Sequence, residues 1–265
     1  MSQIFKALEM AKQEESGNPF ANRKQNGDSR IDFANTQKIN VNAALLKQNH
    51  VLTAIQNQQH IEAYKILRTR VMSRMKQNHW STLGVTSACQ SEGKTLTSTN
   101  LAISIAMKLN YSVVLVDADL RRPSLHKLLG IKPRYGLIDY LESNVSLEKA
   151  FIATPGIDNL VMLPGKRSAS NRLSEHLSSP KMDRLVKELK SRYSSRIVIF
   201  DLPPVLAGDD VMGFVPHIDT TLLVVEDNKT QAGDLLRSLE MLEDANIIGT
   251  VLNKSPETNN AYGYY

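Results

Sequence analysis

One cysteine, Cys89, stands among 265 residues, which excludes an intrachain disulfide and a thiol-rich metal cluster within one chain. Long apolar runs are also missing: none approaches the ~18–20 residues that span a bilayer. The apolar positions of Ser2–Lys12 are broken by Lys6 and Glu9, so this segment does not read as a signal peptide. These absences predict a cytoplasmic protein whose membrane contact, if any, is peripheral. Net charge is small, +5, and uneven. Residues 1–80 carry 12 Lys/Arg against 6 Asp/Glu, a net +6, and residues 81–265 carry 20 against 21, a net −1. The basic excess therefore belongs to an N-terminal flank. Such a flank attracts anionic lipid or nucleic acid by charge alone, but no nucleic-acid-binding motif accompanies it, and no nucleic-acid partner is expected.

What is present is an α/β pattern behind an extension. Ser2–Lys12 reads as a short amphipathic helix, with Ser2 as cap and Ile4, Phe5, Leu8 and Ala11 on one face. Residues 13–42, rich in Asn, Gln, Ser, Gly and Lys, read as a flexible linker. From Ala43 to Gln77 the pattern is helical, with Ile61, Tyr64, Leu67, Val71 and Met75 near the 3.6-residue period. Short apolar runs follow at Thr82–Ser87, Ser112–Val116, Arg196–Phe200, Thr220–Val225 and Gly249–Leu252. Helical stretches lie between them, among them Lys94–Leu109, Met182–Tyr193 and Ala232–Asp244. Apolar strands alternating with helices specify a doubly wound, mostly parallel sheet, and such sheets bind ligands beyond the carboxyl ends of their strands. The expected organisation is an extension over 1–42, a helical lead-in over 43–79, an α/β domain over 80–255 and a tyrosine-rich tail over 256–265.

Three motifs sit at those strand ends. Thr86-Ser87-Ala88-Cys89-Gln90-Ser91-Glu92-Gly93-Lys94-Thr95 joins a strand to a helix. A phosphate loop needs inward N–H groups and a helix N-terminus. It also needs a lysine for the β/γ-phosphates and a hydroxyl for Mg²⁺. Gly93, Lys94 and Thr95 supply the end of that pattern, but Ala88 stands at its first glycine. Asp117-Ala118-Asp119-Leu120-Arg121-Arg122 follows the second strand. Of two carboxylates placed so, one can serve a metal and the other accept a proton, while the arginines can neutralise phosphate; a helix cap beside a solvated basic turn is the plainer alternative. Asp201-Leu202-Pro203-Pro204 ends the third strand in the Walker B manner. Finally, 3 of the 8 tyrosines, Tyr262, Tyr264 and Tyr265, lie in the last four residues, where packing does not explain them; phosphoacceptors are the preferred reading, and a chance cluster or a docking tag the plainer alternatives. Cys89 admits two readings. A helix N-terminus can activate a thiol, but a tolerated small residue is favoured.

These residues resemble the bacterial tyrosine kinases (BY-kinases) of capsule and exopolysaccharide synthesis, within the MinD/ParA-like P-loop ATPases, from about Glu62 to Tyr265. Ser87–Thr95 is similar to the family's Walker A motif, Asp117–Arg121 to its Walker A′ and Asp201–Val205 to its Walker B. Asp210 fits the acidic residue that follows. Val251-Leu252-Asn253 is similar to a segment near the adenine. Glu62, Lys65 and Arg68 resemble the E-x-x-R-x-x-R helix that builds rings, and the terminal tyrosines resemble the autophosphorylated cluster. The start Ser2–Leu8 is similar to single-chain members whose membrane-spanning partner is a separate polysaccharide co-polymerase. The resemblance implies a P-loop kinase fold and ATP held by Glu92, Gly93, Lys94, Thr95, Leu96, Arg121 and Asn253. It implies Mg²⁺ held by Thr95, Asp117 and Asp201, and catalysis by Lys94, Asp117, Asp119 and Asp201. It also implies phosphorylation of one subunit's tail by its neighbour, which loosens the ring by charge repulsion, and a location at the inner membrane through the partner.

Three positions depart from the family pattern, and the tyrosine cluster is short. Gln90-Ser91 replaces Pro-Gly, removing backbone freedom beside the phosphates, and Lys65 replaces Arg, removing a bidentate donor. The alternatives are an ATP-binding assembly protein of the export complex without strong activity, and a ParA/MinD-like positioning ATPase. The latter class carries a second lysine where Cys89 stands.

Overall fold

The computed structural model describes residues 37–38 and 41–256, apart from 56, 109–110, 144, 155, 158, 168–172 and 192–195. The expected helix Ser2–Lys12, most of the linker 13–42 and the tail tyrosines Tyr262, Tyr264 and Tyr265 lie outside the described residues.

Apolar runs that read as buried strands form the centre of one sheet. Its strands are β1 (Gln37–Lys38), β2 (Thr82–Ser87), β3 (Ser112–Asp117), β4 (Ile152–Ala153), β5 (Leu160–Leu163), β6 (Arg196–Asp201), β7 (Thr220–Glu226) and β8 (Ile247–Asn253). Their order is β1-β4-β5-β3-β6-β2-β7-β8. All neighbouring pairs are parallel except β4 with β5. Every residue of β2 and β6 is buried, as a sheet covered on both faces requires.

The two-residue alternation of a strand divides the core. Leu83, Val85, Val113, Leu115, Ile197, Ile199, Leu222 and Val224 join one cluster with Val71 and Met75 of α1 (Gln58–Gln77) and Leu101 and Ile105 of α2 (Lys94–Ala106). Phe200, one residue past Ile199 and therefore on the opposite face, meets Phe214 edge-on at a centroid distance of 5.0 Å. The further long helices are α3 (Pro180–Ser191) and α4 (Ala232–Met241).

Two expectations need correction. The helix read as continuous from Ala43 to Gln77 is broken into Ala43–Gln48, a 3₁₀ turn at Leu52–Ala54 and α1. Buried Asn100 of α2 holds the break. Its Oδ1 accepts the Leu52 N–H at 2.8 Å, and its Nδ2 donates to the His50 carbonyl at 3.0 Å. His50 turns left-handed at φ 56°, and Asn57 caps the new helix by accepting from the Gln59 N–H. The linker, read as structureless to residue 42, contributes β1, which pairs with β4. Short strands β1, β4 and β5 carry too few residues to show a period.

Candidate nucleotide and metal site

The β3–β6 register sets Asp117 directly beside Asp201 at the carboxyl ends of adjacent central strands. The β2–α2 loop lies over them. Around it is a cavity of about 870 Å³, lined by Ser91, Gly93, Lys94, Thr95, Leu96, Asp119, Arg121 and Arg122 among others.

The chemistry of this end is an excess of buried acid. Lys94 donates to Asp119 Oδ2 at 2.7 Å and stands 3.9 Å from Asp201 Oδ1. Thr95 donates to Asp201 Oδ2 at 2.6 Å and is 3.0 Å from the Ser124 hydroxyl. Asp117 Oδ2 accepts the N–H groups of Ser124 and Leu125, each at 3.0 Å. Asp117 Oδ1 and Asp201 Oδ1 are buried with no hydrogen-bond partner. Burial first, and then the charge of Asp201, push the Asp117 carboxyl well above its ordinary range, and burial pushes Asp201 upward too. Burial pulls the Lys94 ammonium down, but the charges of Asp201 and Asp119 outweigh it and hold it above its ordinary value.

Three carboxylates against one ammonium, two of them with an orphaned oxygen, fit a divalent cation. No group of three His, Cys, Asp or Glu side chains among the described residues forms a metal cluster by itself. A hard cation that keeps waters and takes phosphate oxygens needs only one or two carboxylates. Thr95, Asp117 and Asp201 fit that role.

Not every predicted ligand lines the cavity. The Glu92 side chain folds back under the loop, where Oε2 accepts the Cys89 N–H at 2.9 Å and Oε1 accepts from the Thr230 hydroxyl. Asn253 Nδ2 donates to the Glu92 carbonyl at 2.8 Å. Both side chains hold the loop. Arg121 is paired with Asp210, and Asp209 lies 4.0 Å away; Asp210 raises its pKa. The thiol of Cys89 is not activated, since burial and then Asp234 push its pKa up, and the small-residue reading stands. In the ring-type helix, Glu62 and Lys65 pair with each other at 3.2 Å on the exposed face, while Arg68 turns inward to the Ser104 carbonyl at 2.9 Å. Ser124, Thr230, Glu226 and Lys254 were not anticipated. The contacts of Ser124 to Thr95, Thr230 to Glu92 and Lys254 to Ser91 span long sequence separations and leave no local pattern.

Fold and site together define a nucleotide-binding P-loop domain with its phosphate loop on β2 and its acidic residues on β3 and β6. Residues 85–262 match the CobQ/CobB/MinD/ParA nucleotide binding domain. The chain is 31% identical over 207 residues to "Tyrosine-protein kinase YwqD" of Bacillus subtilis (strain 168), covering 77% of this chain and 85% of that protein. It is 33% identical over 208 residues to "Putative tyrosine-protein kinase in cps region" of Klebsiella pneumoniae, covering 77% of this chain but 28% of that longer protein. The kinase domain of Escherichia coli tyrosine kinase ETK superposes with a TM-score of 0.68 at 31% identity, over 77% of this chain and 80% of that one. The chain belongs to the bacterial tyrosine-kinase branch of the CobQ/CobB/MinD/ParA nucleotide-binding family.

Proposed function

We propose that this chain is an ATP- and Mg²⁺-dependent tyrosine kinase that phosphorylates Tyr262, Tyr264 and Tyr265 of its own tail, each subunit presenting the tail to a neighbour in a ring-like homo-oligomer. The observation that carries the reading is the pairing of Asp117 with Asp201 across β3 and β6, oxygens unpartnered, beside Lys94 and Thr95.

In this mechanism Lys94 leaves Asp119 for the β- and γ-phosphates of ATP. That exchange frees Asp119, which faces the cavity, to accept the phenol proton. The phenol oxygen forms a bond to the γ-phosphorus as the bond to the β–γ bridging oxygen breaks, and ADP leaves. Thr95, Asp117 and Asp201 would hold Mg²⁺, which neutralises charge on the phosphate oxygens. Positioning and charge stabilisation carry such a transfer. Gly93 leads the loop into α2 at φ 93°, and a Cβ there would meet Asn253 Nδ2 at 2.0 Å.

The role extends to exopolysaccharide or capsule polymerisation and export. Relatives named for the cps region and for Eps and Cap proteins support this. The partner would be a membrane co-polymerase that holds a cytoplasmic kinase at the inner membrane. No helix among the described residues is long and apolar enough to cross a membrane. Exposed Glu62 and Lys65 are the proposed ring contacts, with Arg68 bracing their helix against α2.

The test is Mg·ATP autophosphorylation of wild type, Lys94→Met and a Tyr262/Tyr264/Tyr265→Phe triple variant, with and without the cytoplasmic segment of a co-polymerase. Phosphotyrosine in wild type that vanishes in both variants is expected. ATP binding without phosphotyrosine, partner present, would overturn the kinase and leave a nucleotide-dependent assembly protein.

A further inference from the structure

The phosphate loop of this chain lacks two of the glycines its shape calls for, yet it adopts that shape. Ala88 stands at the first, and Ser91 holds a left-handed φ of 66°, a region that L side chains seldom enter. Something outside the loop must hold it there. Lys254, just past β8, donates from Nζ to the Ser91 carbonyl at 2.7 Å and to Glu226 Oε2 at 3.0 Å. Its neighbour Asn253 holds the next carbonyl, that of Glu92. Glu226 is fixed in turn: its N–H donates to the Thr230 hydroxyl at 2.9 Å, and the same hydroxyl donates to Glu92.

We infer that Lys254, seated on Glu226, is a positioning residue for nucleotide binding: it holds the Ser91 peptide in the left-handed conformation that a glycine would adopt unaided. A charged donor at hydrogen-bond distance fixes the direction of the Ser91 carbonyl, and therefore of the Ser91–Glu92 peptide whose N–H belongs to the loop. Lys254 is half-exposed at its side chain and makes none of the core contacts, so its loss leaves the fold intact. The inference rests on the nucleotide site proposed above but not on the tyrosine acceptor.

The experiment measures Mg·ADP affinity by calorimetry for wild type, Lys254→Met, Lys254→Arg, Ser91→Gly and the Lys254→Met/Ser91→Gly double variant, with a thermal melt of each. Loss of one charged hydrogen bond predicts about ten-fold weaker binding for Lys254→Met, with most of it recovered by Lys254→Arg. In the Ser91→Gly background the same change is expected to cost about three-fold or less, since glycine supplies the conformation itself. Equal affinity of Lys254→Met and wild type, or the same weakening in both backgrounds, would overturn the inference. Should Lys254→Met melt early, the two backgrounds still decide, because general destabilisation weakens both alike. Normal Mg·ADP binding in a protein that makes no phosphotyrosine would sink the kinase reading and leave this one standing.

Discussion

The two ends of the central strands carry acids in opposite states, half-buried and paired at one end, buried and underpaired at the other. At the amino ends, Asp219 precedes β7 and its needs are met. Its Oδ2 accepts the N–H groups of Ser81 and Thr82 at 2.8 and 3.0 Å, its Oδ1 pairs with Lys190, and its own N–H donates to the Thr82 hydroxyl. At the carboxyl ends, Asp117 and Asp201 face each other with orphaned oxygens and share one ammonium with Asp119. The same residue type, at opposite strand ends, is structural where both carboxylate oxygens are paired. Where charge is left over for a ligand to neutralise, a state that costs stability, the proposed role is functional.

The comparison breaks most visibly at Lys94. Lys94→Met removes the ammonium that bridges Asp119 and Asp201, and phosphotyrosine formation is expected to fall by about a hundred-fold or more, read by anti-phosphotyrosine blot or mass spectrometry. Asp117→Asn should separate function from stability. Its amide keeps an acceptor for Ser124 and Leu125 but removes a carboxyl whose ionisation is disfavoured in the folded protein by burial and then by Asp201. Transfer is expected to drop by about a hundred-fold while stability rises by about 1 kcal/mol, seen in denaturant melts beside the activity assay.

Asp219→Asn should do the reverse, leaving transfer near wild type and lowering stability by about 1–2 kcal/mol at neutral pH. The pH dependence sharpens this. Burial pushes the Asp219 carboxyl up, but Lys190 and the Ser81 and Thr82 amides outweigh it and hold it below its ordinary 3.8. Its stabilisation is therefore fully present above 3.8 and is lost as pH falls through the lower folded value. Stability of wild type and Asp219→Asn should converge in strong acid. The smallest effect is expected on the α1 surface, where Lys65→Ala breaks an exposed pair and shifts stability by less than about 0.5 kcal/mol. If Glu62 and Lys65 build the ring, the same variant should lower the sedimentation coefficient far more than the melting point.

How much of this could be read from the chain depends on the range of the interaction. The runs at Val113–Val116 and Ile197–Phe200 announce buried strands because both of their faces are covered, and the acids that close them mark the ligand end of the sheet. Lys94 and Thr95 follow from their place between strand and helix. The break at Asn49–Asn57 does not follow, because the contacts that hold it come from Asn100, distant in sequence. The inward turn of Glu92 depends on Thr230, and the Ser91 anchor on Lys254; neither contact leaves a periodic trace. Two-residue strands such as β1 and β4 are set by the neighbour they pair with and not by their own composition.

The charge left over at the carboxyl ends is proposed to be there for a divalent cation carried with nucleotide. Thermal melts of wild type and Asp117→Asn with ADP alone and with Mg·ADP test it most directly, since a ligand that binds only the folded protein raises its melting point. Mg²⁺ is expected to add a clear further rise over ADP in wild type and little or none in Asp117→Asn. An equal Mg²⁺ increment in both proteins would contradict it.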